Sequence, residues 1–205
     1  MNREIDIKYE IYRKLIHIIS TIIPVLYFLT SKEFIVTLVG TGTALMVLID
    51  VLKRYSRPVG SLYKMVFVRI LREDEREFGK KLFTGGTYYA FGILLSLVFF
   101  TMEIAAASIL IMIWSDTLAA IAGRMFGRIK IYRRKTLEGS VTFFASGALI
   151  LFILSVFLSG FPSLLLASVA LFITTLAELF LDKLNDNLTI PLVFGFTLTI
   201  LIKLL

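Results

Sequence analysis

Apolar residues along this chain gather into long runs divided by short polar breaks. Seven runs stand out, at roughly 14–31, 34–52, 84–101, 104–123, 140–158, 162–181 and 188–204. About 20 apolar residues cross the hydrocarbon core of a bilayer. The pattern therefore predicts an all-α, polytopic integral membrane protein of about seven transmembrane helices. Pro24 inside the first run is compatible with a membrane helix. The links around Ser31-Lys32-Glu33, Thr101-Met102-Glu103 and Ser159-Gly160-Phe161 are too short to carry a site. Segments 53–83 and 124–139 are longer and charged. In the first of them Leu62, Met65, Val66, Val68, Ile70 and Leu71 interleave with Lys64, Arg69 and Arg72. That is the pattern of an amphipathic helix lying on a membrane surface.

Composition narrows the picture. The 205 residues are 58% hydrophobic with a mean hydropathy of +0.87, which leaves no room for a separate soluble domain. Residues 1–205 read as one transmembrane domain. There is no cysteine, so disulfide frameworks, thiolate metal sites and cysteine nucleophiles are excluded together. Residues 1–14 mix both signs of charge and lack a small-residue cleavage site, so they do not read as a removable signal peptide.

The formal net charge of +7 is placed asymmetrically. With the N-terminus in the cytoplasm, all of the 22 lysines and arginines except Lys32 and Lys203 fall on inner segments. The positive-inside rule then puts the N-terminus in the cytoplasm, with 53–83, 124–139 and 182–187 forming the cytoplasmic face. In a prokaryote the membrane would be the plasma membrane. Topology and anionic headgroups account for the basic excess. No aromatic-basic pattern accompanies it, so nucleic acid is not an expected partner. The sequence leaves monomer and homodimer equally open.

Ionisable residues inside apolar runs need a reason, because each costs a few kcal/mol to insert. Asp116 precedes Gly123 by seven residues, about 10 Å of helix. It fits either a buried ion pair or a functional carboxylate. Beyond it Ala120, Gly123 and Gly127 make a small face, suited to close helix packing or to a ligand approaching the backbone. Glu178 and Asp182 are spaced i, i+4, and Asp186 continues the spacing if the helix persists. Stacked carboxylates favour a cation between them, and hard oxygen ligands suit Mg²⁺.

Opposite charge comes from Arg124, Arg128, Lys130, Arg133, Arg134 and Lys135, just before Glu138-Gly139-Ser140. Thr136 or Leu137 precedes a helix there, leaving N–H groups of its first turn for an anion. Thr84-Gly85-Gly86-Thr87 offers backbone and hydroxyl contacts, or a flexible helix entry. His17 is the only histidine and could act as a base, a phosphate ligand or a helix hydrogen bond. There is no P-loop, no protein-kinase signature set and no Gly-x-Ser-x-Gly elbow.

Five pieces of the chain together carry a resemblance. They are Arg13-Lys14-x-x-His17, Thr84-Gly85-Gly86-Thr87-Tyr88-Tyr89, Ser115-Asp116-x-x-Ala119-Ala120-x-x-Gly123-x-x-x-Gly127-x-x-Lys130, Lys135-Thr136-Leu137-Glu138-Gly139-Ser140, and Asp186-Asn187-Leu188-Thr189-Ile190-Pro191. In this order they resemble the polyprenol kinase family, which includes dolichol kinase, phytol kinase and the CTP-dependent diacylglycerol kinase. Ser115 and Tyr132 depart from the family's more usual glycine and proline.

The resemblance implies transfer of the γ-phosphoryl of CTP to a membrane lipid alcohol, with Mg²⁺ or another divalent cation. The expected acceptor is an isoprenoid alcohol of the polyprenol or dolichol type. Asp116, with Glu178, Asp182 and Asp186, would hold the metal. Arg124, Lys130, Lys135, Thr136, Gly139, Ser140, Gly85, Gly86 and Asn187 would bind the nucleotide. Asp116, His17 and Glu138 are the catalytic candidates, and either Asp116 or His17 would take the acceptor proton.

Rival expectations are a diacylglycerol-type kinase, a phosphatidate cytidylyltransferase-like synthesis of CDP-lipid, and a non-enzymatic transporter or scaffold. A transport path is disfavoured because His17, Asp50, Asp116 and Glu178 all crowd the inner half of their runs.

Overall fold

A computed structural model of the chain describes residues 12–67, 82–133, 135–181 and 184–204. Each apolar run forms a helix, with ends within about three residues of the run. They are α1 (Tyr12–Leu29), α2 (Lys32–Tyr55), α4 (Gly85–Phe99), α5 (Met102–Met125), α6 (Leu137–Phe157), α7 (Leu164–Phe180) and α8 (Asp186–Leu204), while α3 (Arg57–Phe67) is the amphipathic one. Five of the apolar helices are long enough to cross a membrane by length and composition. Gly85–Phe99 and Leu164–Phe180 are shorter.

Large apolar side chains ring the outside, among them Leu29, Phe157 and Leu165, each more than 70% exposed. A protein surrounded by water does not tolerate such a belt. The chain is an all-α polytopic membrane protein.

The centre of the bundle is α5. Ala105, Ala106, Ala107, Ser108, Ile109, Ile111, Met112 and Ile113 are completely buried. Small residues let neighbours approach closely, as membrane helix packing demands. Helices α1, α4, α6 and α8 pack around α5, and α7 closes against α6 and α8. Midway, Ile111–Ser115 winds as a π-turn, immediately before Asp116. Such a turn inserts a residue into the helix and re-aims the side chains of the next turn.

The small face of α5 has a packing role. A Cβ added at Gly123 would stand 3.1 Å from the Thr136 hydroxyl, and one at Gly139 would stand 3.3 Å from the Ala119 carbonyl. Helices α5 and α6 therefore meet almost backbone to backbone, which favours the packing explanation of those glycines.

Two segments differ from expectation. Residues 124–139 are not only loop and helix start, because Lys130–Tyr132 pairs antiparallel with Lys135–Thr136 in a small hairpin. Arg133 turns that hairpin with φ of 49°. Asp186, for its part, does not continue the helix of Glu178. Helix α7 ends at Phe180, and Asp186 opens α8 after a bend. Asp182 and Arg134 lie outside the described residues. In α3, Leu62, Met65 and Val66 are exposed, the apolar face that an interfacial helix requires.

Helices α4 and α8 depend on Gly92, where an added Cβ would come 2.1 Å from the Asn187 carbonyl oxygen. At Gly42 of α2 an added Cβ meets nothing within 4 Å. Gly92→Ala should therefore cost at least ~1–3 kcal/mol of overpacking, while Gly42→Ala should be neutral or mildly stabilising. Thermal unfolding of the two variants in detergent checks the contrast.

Candidate active site

Several charged side chains are buried at the end of the bundle where α1 begins, α2 ends and α4 begins, and each has a partner of opposite sign. Lys14 of α1 ion-pairs with Asp116 of α5. Lys135 of the hairpin bridges Glu178 of α7 and Asp186 of α8, at 3.1 Å from the latter. Lys53 meets Asp50 at 2.5 Å within α2. A buried pair is tolerated where both charges and their spare hydrogen-bonding positions are satisfied.

The first two pairs belong to one cluster. One carboxylate oxygen each from Asp116, Glu178 and Asp186 lies within 4.8 Å of the others. Four helices and the hairpin thus deliver their charges to one point. Burial works against the charge of Lys135, but the Asp186 and Glu178 carboxylates beside it hold its pKa above the ordinary lysine value.

Hard oxygen donors in this number fit a small divalent cation. Oxygens opposite one another on Mg²⁺ stand about 4 Å apart, so a modest side-chain rotation would bring three carboxylates into its shell. Asp116, Glu178 and Asp186 would hold it. In their present arrangement Lys14 and Lys135 supply the compensating positive charge.

His17 is 4% exposed and stacks on Tyr89 of α4, with ring centroids 4.0 Å apart and planes 13° from parallel. The Tyr89 hydroxyl donates to the His17 carbonyl oxygen at 3.2 Å. Lys14 and His17 are one turn apart on α1, so the histidine stands beside the pair that Lys14 makes with Asp116.

Thr84-Gly85-Gly86-Thr87 is held from within the protein. Asp50 accepts from the Thr84 N–H at 2.8 Å, the Thr84 hydroxyl at 3.2 Å and the Thr87 hydroxyl at 2.6 Å. A carboxylate at a helix N-terminus satisfies donors the helix leaves open and suits its dipole. Asn187 donates from its amide to the Gly85 carbonyl at 3.1 Å, tying α8 to α4. These contacts give Gly85, Gly86 and Asn187 a structural part beside the nucleotide-binding one expected of them.

Glu138 uses its carboxylate on the loop before it, accepting from the N–H groups of Arg128 at 2.9 Å and Ile129 at 3.2 Å. Thr136 caps α6, its hydroxyl accepting from the Gly139 N–H at 3.2 Å. Arg124, Arg128 and Lys130 are exposed, on the outer side of this loop. The hydroxyls of Ser115 and Ser140, on the facing helices α5 and α6, are buried without a hydrogen-bond partner among the described residues.

A cleft of about 550 Å³ opens beside the cluster, between α1, α2 and α4. Arg13, His17, Asp50 and Thr84 line one end of it, and the remainder is mostly apolar, with the hydroxyl-bearing Ser20 and Thr43 partway along.

Sequence reasoning missed the partners more than the acids. Lys14 lies inside the quoted Arg13-Lys14-x-x-His17 motif, yet nothing in the spacing pairs it with Asp116, 102 residues away. Asp50 carries a signal in being a lone carboxylate within an apolar run. The stacking of Tyr89 on His17 and the π-turn carry no sequence signal.

A largely buried carboxylate cluster, bridged by lysines at one end of an apolar helix bundle, is the chemical signature of this polytopic membrane protein. No protein-family model matches the chain, and no solved structure matches it. Among curated proteins it is 30% identical to an uncharacterised protein of Rickettsia prowazekii, over 95% of this chain and 96% of that one. It is 33% identical to CTP-dependent diacylglycerol kinase 1 of Schizosaccharomyces pombe, over 68% of this chain and 69% of the kinase. It is 29% identical to the chloroplastic phytol kinase 1 of Arabidopsis thaliana, over 91% of this chain and 64% of the plant protein. The chain belongs to the polyprenol kinase family, with the CTP-dependent diacylglycerol kinases and phytol kinase.

Removing one partner of a buried pair leaves the other charge uncompensated. Lys14→Met should lower stability by about 3–5 kcal/mol. Combining it with Asp116→Asn removes both charges and should recover most of the loss. Denaturation of both variants and of wild type in one detergent compares them directly.

Proposed function

We propose that the protein transfers the γ-phosphoryl group of CTP to the hydroxyl of a membrane isoprenoid alcohol of the polyprenol or dolichol type. The observation that carries the reading is the convergence of Asp116, Glu178 and Asp186 within 4.8 Å, with Lys135 across two of them. Phosphoryl transfer asks mainly for positioning and neutralisation of charge, and a carboxylate–lysine cluster provides both. The family relatives support CTP as donor and a lipid alcohol as acceptor.

In the reaction the acceptor oxygen bonds to the γ-phosphorus, the bond to the β–γ bridging oxygen breaks, and CDP leaves. A divalent cation, when bound, supplies neutralisation of charge on the CTP phosphates. Asp116, Glu178 and Asp186 would hold it. Lys135 and Lys14, here paired with these carboxylates, would neutralise phosphate oxygens when the acids are committed to the cation. Lys130 and Arg124, exposed at the loop, meet the nucleotide as it arrives from water, and the Ser140 hydroxyl is open to an acceptor or donor at the α6 start. His17 takes the proton of the alcohol on its imidazole, because Asp116 would be committed to the cation. Glu138 acts through the Arg128–Ile129 backbone as a positioning residue.

We place the N-terminus and this site on the cytoplasmic side, on the strength of the basic excess at that end. Residues 1–205 work as a single domain. A diacylglycerol-type acceptor is the second reading, and the fission-yeast relative is the observation in its favour.

The test is purified protein with labelled CTP and a panel of lipid alcohols. Label in the γ position should enter the lipid, and label in the α position should not. Transfer of α-label would replace the kinase reading by CDP-lipid synthesis. Asp116→Asn and Glu178→Gln should each lower kcat by roughly 10²–10³-fold, the scale of losing one electrostatic group from a reaction site. Both proteins should still insert in the membrane, with the loss of stability that stranding Lys14 or Lys135 entails; retained turnover in Asp116→Asn would remove that residue from the site.

A further inference from the structure

The cleft between α1, α2 and α4 runs away from the carboxylate cluster starting at His17, and all three of its walls share one gradient. On α2, Leu38 and Val39 line the cleft at one end and Asp50 at the other, about 18 Å apart at 1.5 Å per residue. On α4 the lining passes from Ile93 to Thr84, and on α1 from Ile23 to His17. The polar ends coincide, since Asp50 bonds Thr84 and His17 stacks on Tyr89 of α4. The cleft is therefore a slot with an aliphatic depth and a polar head, and the head adjoins the Lys14–Asp116 pair by one turn of α1.

Leu38, at the deep end, remains about half exposed, so the aliphatic walls are open to the surrounding bilayer. A lipid can enter sideways without leaving the membrane. Gly42 lines the same slot, and a Cβ built there meets nothing within 4 Å. The missing side chain keeps the middle of the slot open.

We infer that this cleft is the acceptor site, and that it takes one hydrocarbon tail of the lipid alcohol with the hydroxyl at His17. The cleft, about 550 Å³, takes a stretch of one hydrocarbon chain, and its open side lets a longer tail run on into the bilayer. Charge at the head completes the fit, because Arg13 and His17 face the point where the alcohol becomes a phosphate ester. The inference rests on the lipid-kinase reading for the hydroxyl's fate, but the tail site itself does not.

Two measurements test it. The first uses a long-chain isoprenol carrying a diazirine near its tail, photolysed with wild-type protein in nanodiscs without nucleotide. Labelled peptides should come from α1, α2 and α4, and Gly42→Phe, which fills the slot, should reduce that labelling at least 5-fold. Equal labelling of the variant, or equal labelling of wild type by a diazirine phosphatidylcholine, would overturn the assignment by making the slot an ordinary lipid-facing groove.

The second measurement is turnover. Gly42→Phe should raise KM for a long-chain isoprenol at least 10-fold and leave KM for CTP and kcat with a short prenol unchanged. A matching loss with the short prenol would count against the slot. If wild type labels as expected but transfers no phosphoryl group, the kinase reading fails and the tail site stands.

Discussion

Charge inside an apolar bundle has to be neutralised where it stands, since neither lipid nor neighbouring leucine can solvate it. Three lysines meet that demand at one end of this protein. Lys14, Lys53 and Lys135 each pair with a carboxylate from a helix that also packs the core. Breaking any pair would strand a charge, and the Lys14 and Lys135 pairs fix how α1, α5, α7 and α8 stand relative to one another. The rest of the architecture depends on that arrangement.

The same pairs explain why the site is both stable and available. In the proposed reaction a cation and a triphosphate would carry the two signs that the cluster already balances internally. Their arrival would exchange partners instead of creating new buried charge. The Asp50 pair lies to one side and serves a different end, holding Thr84 and Thr87 at the start of α4. That helix in turn presents Tyr89 to His17. The carboxylate–lysine cluster, a histidine and an aliphatic slot thereby come to adjoin one another.

Close backbone contact makes this alignment rigid. Gly123 against Thr136 and Gly139 against Ala119 bring α5 and α6 together, and Gly92 lets the start of α8 sit on α4. The π-turn at Ile111–Ser115 adds a residue just where α5 must present Asp116. Each of these devices sets the position of a charged or hydrogen-bonding group at the proposed site.

The seven helices, their ends to within a few residues and the membrane setting were legible from hydropathy alone, because bilayer thickness fixes how long an apolar run must be. Asp116, Glu178 and Asp186 were legible too, since a carboxylate in or beside an apolar run is costly and conspicuous. Their grouping was not. The i, i+4 argument joined Glu178 to Asp186 through a continuous helix, whereas a bend after Phe180 and the packing of α7 on α8 bring them together. Lys14 meets Asp116, and Lys135 meets Glu178, across 102 and 43 residues, distances over which local periodicity carries no information. The chain's own pattern determined which residues could not be idle in a membrane. Only the tertiary structure decided which of them share a site, because that is set by which helix faces lie against each other.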